Sequence, residues 1–417
     1  VYKRQKYIIM SSQKILDYFF KDIENYTKKD VNIIDERYLD DSYIPEDIKF
    51  RDKQKKALFE IINHFIKGYK SYNAFLYGPT GTGKTLLSKY IFQGLNAYAI
   101  KYKLRIKPVY INCKTTNGKD TIYYVYGKIY EELTNKEFKT GMKKQELIDG
   151  IFEYIINKEY KVLLILDEVD SLVKSKELDD FLYLLLRDYN FEIQNKITFF
   201  FVTNNVSFLE NLDPRVKSSL SSSIFVDFPP YTYQQLKEIL LERAKLAFKE
   251  GFASEDVISY IAAKVAKLSG DARVAIGVLK LAAFYASVNN RDKITIEDVN
   301  TAFENIDSDI IKKAIFSMNK EQRIILYSIL RLQEKTRDFI STNEIYEEYV
   351  KIKEELALTP LSYDSFRKNL RAIELLLENI IESKIISEGK KGYKKIIRIM
   401  IDEDKTKKII EEFKSYI

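Results

Sequence analysis

With 417 residues, the chain is long enough for about two to four domains and a sizeable core. No stretch approaches the roughly 18 uninterrupted apolar residues of a membrane span, and the expected location is the cytoplasm. A single cysteine, Cys113, and a single histidine, His64, exclude a disulfide framework and an ordinary Cys/His zinc cluster within one chain. The net charge of +7 is small for this length and argues for a local basic surface rather than a basic protein.

Residues 1–41 are charged and tyrosine-rich, which suggests one helix with an arm, and the Tyr7-Ile8-Ile9-Met10 run is too short for a secretory core. From 42 to 228, helical patterns alternate with buried strands, the signature of an α/β doubly wound parallel sheet. His64 falls in a helix-like stretch, 57–66, where packing or surface exposure is the expected role. The apolar run 74–77 then leads into Gly78, Pro79, Thr80, Gly81, Thr82, Gly83, Lys84 and Thr85, followed by an amphipathic helix with Leu86, Leu87, Tyr90 and Ile91. Three glycines let successive N–H groups face one anion, and the helix start adds the positive end of its dipole. This is the pattern of a phosphate-binding loop. Lys84 would reach the β- and γ-phosphates, and the Thr85 hydroxyl would hold Mg²⁺.

A strand at 108–112 precedes Cys113, expected as a small core residue because no histidine stands by to activate it. After Lys161, the run 162–166 is continuously apolar and ends in Asp167 and Glu168, as in a strand buried on both faces whose acids emerge at its carboxyl end. Asp167 suits Mg²⁺, and Glu168 suits deprotonating the attacking water. The strand 197–203 runs into Asn204 and Asn205: the first amide either holds that water or opens a turn. Arg215 and Arg273 follow at helix ends, where a planar and permanently charged guanidinium suits phosphate oxygens.

Pro229 and Pro230 break the alternation, and helical periods take over at 234–250, 254–269, 272–288 and 295–305. Beyond residue 311, two helices are expected at 322–332 and 342–356. A third follows Pro360: Ser362 would cap it, and Phe366, Leu370, Ile373 and Leu377 would face the core. Its other face presents Ser365, Arg367, Lys368 and Arg371. Residues 385–399 read as two strands around a basic turn holding Lys390, Lys391, Gly392, Tyr393 and Lys394. Three helices and a basic hairpin make a winged helix, whose cations suit DNA phosphates and groove edges, although edge lysines also keep a hairpin from pairing with other chains.

The order of these motifs resembles that of the AAA+ ATPases: residues 78–85 look like Walker A, 163–168 like Walker B, Asn204 like sensor 1, Arg215 like the arginine finger offered to a neighbouring subunit, and Arg273 like sensor 2. Residues 42–54, the segment at Phe228 to Thr232 and the Gly270-Asp271-Ala272-Arg273 start are similar to the archaeal origin-recognition and cell-division-control initiator family. That resemblance covers about residues 40 to 400. It implies ATP or ADP with Mg²⁺, an adenine cup drawing on Tyr43, Ile44, Pro45, Ile48, Arg51, Gln54 and Tyr231, double-stranded origin DNA, other initiator subunits and the replicative helicase as partners, and slow hydrolysis. It divides the chain into an arm (1–41), an ATPase core (42–228), a helical lid (229–310) and a winged helix (311–417). The family's wing often carries arginine and threonine beside its glycines, where this one carries lysines. Residues 113–160 are either an added helical element that touches DNA or a longer crossover with a surface loop at 134–144. A signalling ATPase with a protein-binding winged helix, and an ATP-modulated transcription regulator, fit the same motifs.

Overall fold

The computed structural model describes residues 32–69, 72–115, 121–139, 141–174, 178–187, 196–205, 212–221, 223–336, 338–377, 381–387 and 393–399. The chain forms two compact units, residues 1–295 and 296–417. Among the described residues, no helix is long and apolar enough to cross a membrane.

The first unit is built on five parallel strands, β1 (Ala74–Tyr77), β2 (Ile106–Asn112), β3 (Lys161–Asp167), β4 (Ile197–Thr203) and β5 (Ile224–Asp227), in the order β2-β3-β4-β1-β5. Strands β3 and β4 are apolar without alternation because helices cover both faces. Helices α1 (Asp52–Lys67) and α2 (Lys84–Lys101) lay Leu58, Ile61, Phe65, Leu87, Ile91 and Leu95 on Leu76, Ile165 and Phe200. On the opposite face, α3 (Thr121–Thr134) and α4 (Lys144–Asn157) bring Val125, Ile129, Leu147 and Ile151 onto Val109, Leu164 and Phe199. Each such side chain contributes about 1.5–3 kcal/mol when fully buried. The two helices of the 113–160 stretch thus close this side of the core. Cys113 is fully buried, and desolvation pushes its thiol well above the ordinary range, as suits a packing residue. Helices α5 (Leu178–Arg187) and α6 (Pro214–Leu220) flank the same face, adding Phe181, Leu182, Val216 and Leu220 to its core.

Three lid helices follow: α7 (Tyr233–Ala247), opened by a capping box between Thr232 and Gln235, α8 (Glu255–Leu268), capped by Ser254, and α9 (Ala272–Val288), capped by Asp271. The chain ahead of the core is strapped to this lid. Ile34 N–H donates to Ala247 O at 2.8 Å, Lys249 N–H donates to Asn32 O at 3.0 Å, and Ile33 bridges Phe248.

The second unit opens with α10 (Ile296–Ser317), continuous through residue 305, where the sequence pattern ended the helix, and through the 310/311 border expected between lid and winged helix. Asn, Asp and Ser between 305 and 309 weaken a helix without breaking it, and neither Gly nor Pro intervenes. Helices α11 (Lys320–Thr336), α12 (Thr342–Glu355) and α13 (Tyr363–Leu376) enclose Ile324, Ile329, Tyr349, Phe366, Leu370 and Ile373 against Ile397. The strands β6 (Ile340–Ser341), β7 (Ile381–Ser387) and β8 (Tyr393–Ile399) form an antiparallel sheet in the order β6-β8-β7. Ser387 pairs with Tyr393 at the far end of the hairpin, and the expected wing residues Lys390, Lys391 and Gly392 lie outside the described residues. Ser362 is the residue ahead of α13 but does not cap it: its hydroxyl bonds Ser365 Oγ at 3.1 Å instead of a backbone N–H.

Candidate functional site

Strand register decides where the chemistry can occur. Tyr77 pairs with Thr203, Leu166 with Phe201 and Asn112 with Asp167, so β1, β2, β3 and β4 end within one residue of one another. Gly78, Glu168 and Asn204 leave the sheet at that common edge, where open α/β sheets take ligands. A cavity of about 390 Å³ opens there, and Gly81, Thr82, Gly83, Lys84, Thr85 and Leu86 form one wall. Gly83 stands in the left-handed region (φ 90°) at the start of α2 and provides no side-chain cap, so the first-turn N–H groups are left for an anion. A Cβ on Gly83 would come within 2.7 Å of Tyr231 Oη.

Lys84 is 3% exposed. Its Nζ donates to Gly78 O at 2.8 Å and Pro79 O at 2.6 Å. Burial pushes its ammonium down to about 8, and the charge of Arg273 acts in the same direction. The negative charge of an incoming phosphate would oppose both influences and draw the lysine from the loop carbonyls.

The floor is acidic. Asp167 is buried, and both of its oxygens are engaged: Tyr110 Oη donates to Oδ2 at 2.5 Å, and Glu168 N–H donates to Oδ1 at 2.9 Å. Glu168 lines the cavity with a left-handed backbone (φ 55°), which is strained for a residue with a side chain and turns the chain out of β3. Lys114 Nζ stands 3.4 Å from its carboxylate.

The lid supplies the far wall. Asp271 accepts from Arg273 N–H at 2.8 Å, and Ala272 N–H donates to Gly81 O at 3.2 Å, which docks the start of α9 on the loop. A side chain at Gly81 would strike the Asp271 carboxylate. Arg273 lines the cavity, half exposed, with Nη2 3.8 Å from Asp271. Tyr43, Ile44, Pro45, Ile48 and Tyr231 line it as well.

Other residues singled out in the sequence lie elsewhere. Gly78, Pro79 and Thr80 carry the turn of the loop outside the lining, and Asp167 sits behind it. Arg51 and Gln54, expected in the adenine cup, do not line the cavity: Arg51 is 2% exposed, donates to Thr82 O and Pro229 O at 2.9 and 2.8 Å, and lies 3.8 Å over the Tyr231 ring, while Gln54 donates to Asp227 O at 2.7 Å. A guanidinium surrounded by carbonyls serves there as a brace between the loop and the 228–231 segment. Arg215 lies outside the cavity of its own chain, exposed on α6 and bonded to Asp213 at 3.0 Å.

In the second unit, Arg367, Lys368 and Arg371 are exposed on α13, as is Ser362 just ahead of it, and Ser365 is half buried. The adjoining strand is less free than its composition suggests, since Lys395 pairs with Glu374 at 2.7 Å and Arg398 with Glu382 at 2.7 Å.

Family models for an AAA domain match residues 51–212, for the Cdc6 AAA+ ATPase-type lid domain 237–304, and for the CDC6 C-terminal winged helix domain 313–409. An ORC1-type DNA replication protein 1 from Sulfurisphaera tokodaii is 34% identical over 376 residues, 90% of this chain and 92% of the relative. The chain belongs to the ORC1/Cdc6 family of AAA+ replication initiators. A second ORC1/Cdc6 relative, the ORC1-type DNA replication protein of Pyrococcus abyssi, is 35% identical over 88% of this chain and 87% of its own length. The solved structure of the Aeropyrum pernix ORC1 protein in complex with DNA superposes with a TM-score of 0.74 at 29% identity, covering 91% of this chain and 97% of that one.

Two residues at or behind the cavity of this ORC1/Cdc6 chain escaped the sequence pattern. Tyr110, which holds Asp167 from behind the lining, looks like one more apolar residue of β2. Arg243 looks like a surface cation of an amphipathic helix, yet it is 7% exposed and lines the cavity. Its one available signal was the lack of a carboxylate three or four residues away on the same helix face. A nucleotide fits the residues present: an uncapped helix start, a buried lysine whose bonds among the described residues all run to its own loop, and glycines whose places any side chain would fill.

Proposed function

We propose that this protein is an ATP-switched initiator that binds double-stranded origin DNA through its winged helix, resides on the nucleoid, and helps recruit or load the replicative helicase. The observation that carries the reading is the single cavity lined by the Gly81–Thr85 loop, by Glu168 and Asn204 of the core, and by Arg273 of the lid. A nucleotide there touches core and lid together, so its state can bias the lid. Thr85 would hold Mg²⁺ directly, and Asp167, set behind the lining, would hold it through water; the ion would neutralise phosphate charge. Glu168 takes the proton of the attacking water, and Asn204 orients it. Hydrolysis is slow in the lone chain because Arg215 stands outside its own cavity and serves a neighbouring subunit instead. The exposed Arg367, Lys368 and Arg371 on α13 give the second unit its DNA-facing charge. The Aeropyrum pernix ORC1 neighbour was solved with DNA, which supports the same assignment here.

Selection of sites from random duplexes at physiological salt tests this reading, with the native chain and a variant neutralised at Arg367, Lys368, Lys390, Lys391 and Lys394. A discrete motif, enriched by the native chain and lost by the variant, is the expected result. Equally weak binding by both, with no motif, would remove the DNA reader.

A further inference from the structure

Arg243 is a buried cation whose position none of the motif assignments explains. It projects from lid helix α7, and among the described residues no carboxylate bonds it. Among the described residues, its only hydrogen bond runs from Nη1 to the Tyr38 carbonyl at 2.9 Å, and its guanidinium lies 4.4 Å over the Tyr43 ring. Tyr38 in turn meets Tyr43 edge to face, 5.0 Å between centroids at 74°. Burial lowers the affinity of the guanidinium for its proton, while Tyr43, Glu242 and Asp41 act the other way. A group this costly to desolvate is retained where its partners use it.

Its partners lie about 200 residues away, on the strap that ties residues 32–43 to the lid. That strap leaves the lid at the Ala247 and Asn32 backbone bonds and ends at Tyr43, Ile44 and Pro45 in the cavity wall. A phosphate end seated at the Gly81–Thr85 loop leaves the strap side of the lining for the nucleoside, and that side combines Tyr43, Ile44, Ile239 and Arg243 with the acids Asp41 and Glu242. Aliphatic groups, one fixed aromatic face and a planar cation, bordered by polar groups, suit a purine ring, whose faces stack and whose edge makes hydrogen bonds.

We propose that Arg243 is a positioning residue for the nucleoside end of the bound nucleotide: it clamps the Tyr43 ring and the Tyr38 carbonyl into a preformed base-holding wall carried by the lid. The proposal rests on the nucleotide reading of the same cavity and adds the lid-borne element that reads the base. A rigid aromatic face costs little ordering entropy on binding, and removing the clamp restores that cost.

The test measures binding of ADP and of inorganic tripolyphosphate to the full chain and to Arg243→Gln, Tyr43→Ala and the double variant, with thermal melting of each free protein as the control for folding. Arg243→Gln should weaken ADP about tenfold, equivalent to about 1.4 kcal/mol, and leave tripolyphosphate unchanged. The double variant should lose less than the sum of the two single losses, since both act on one wall. Equal losses for ADP and tripolyphosphate, or additive losses in the double variant, would overturn the proposal while leaving the cavity a nucleotide site. Failure of the native chain to bind either ligand would overturn the nucleotide reading, and the proposal with it.

Discussion

At the scale of single residues, the site separates binding from turnover. Lys84 is held ready by two loop carbonyls, whereas Glu168 is fixed by a strained backbone beside the floor. Lys84→Ala should weaken ATP and ADP binding by about tenfold or more, the worth of a charge-assisted contact to phosphate. Glu168→Gln should bind ATP as the native chain does and hydrolyse it at most at about one hundredth of the rate. Equilibrium binding of a fluorescent ATP analogue and single-turnover hydrolysis check the pair, and unchanged turnover in Glu168→Gln would remove it as the base. The loop was legible in the sequence because its function depends on local order: glycines, a lysine and a threonine at fixed spacing fold on themselves. Arg243 was not legible, because its meaning lies in Tyr38 and Tyr43, which only the tertiary fold brings to it. Arg51 shows the converse. It sits in a segment near the cavity, but its guanidinium turns to Thr82 O and Pro229 O, a choice that no one-dimensional pattern encodes.

At the scale of elements, the apolar runs of β3 and β4 and the period of α13 gave their own boundaries nearly to the residue, since both faces of those strands and one face of that helix are dictated by burial. Polar cross-links between helices were not legible. Lys353 on α12 is 3% exposed and meets Glu321 on α11 at 2.7 Å, and Tyr349 Oη donates to the same carboxylate at 2.6 Å. Burial pushes the Glu321 carboxyl up, but the hydrogen bonds from Lys353 and Tyr349 outweigh it and hold the group below the ordinary glutamate range. A carboxyl depressed in the folded state contributes stability above its unfolded pKa and loses it as pH falls through the folded one. Glu321→Gln should therefore cost about 3 kcal/mol near neutrality, leaving Lys353 buried without its counter-charge. The gap in Tm between native chain and variant should then narrow as pH falls from about 5 towards 3. Calorimetry of the full chain across that range checks it, and a gap independent of pH would assign the loss to packing.

At the scale of the whole molecule, the proposed role of Arg215 makes the site one that a neighbouring subunit completes. Arg215 is exposed on α6, held toward Asp213 and 5.6 Å from the Tyr183 ring, and it takes no part in the cavity of its own chain. A guanidinium kept in an ordered and exposed place can complete a cavity only on another copy or another initiator subunit, where it would meet the phosphate end of the nucleotide. Arg215→Ala should thus leave ATP affinity unchanged in the isolated chain and abolish whatever stimulation of hydrolysis accompanies assembly on DNA. Mixing decides between this and a purely structural role. Arg215→Ala retains an intact Glu168, and Glu168→Gln retains an intact Arg215, so each should be inactive in its own assemblies. Mixed assemblies pair an intact Arg215 with an intact Glu168 at some interfaces and should recover part of the native rate. Hydrolysis measured on DNA at varying ratios of the two variants should pass through a maximum near equal amounts. A flat and inactive mixture would place the action of Arg215 within its own chain, despite its distance from the cavity.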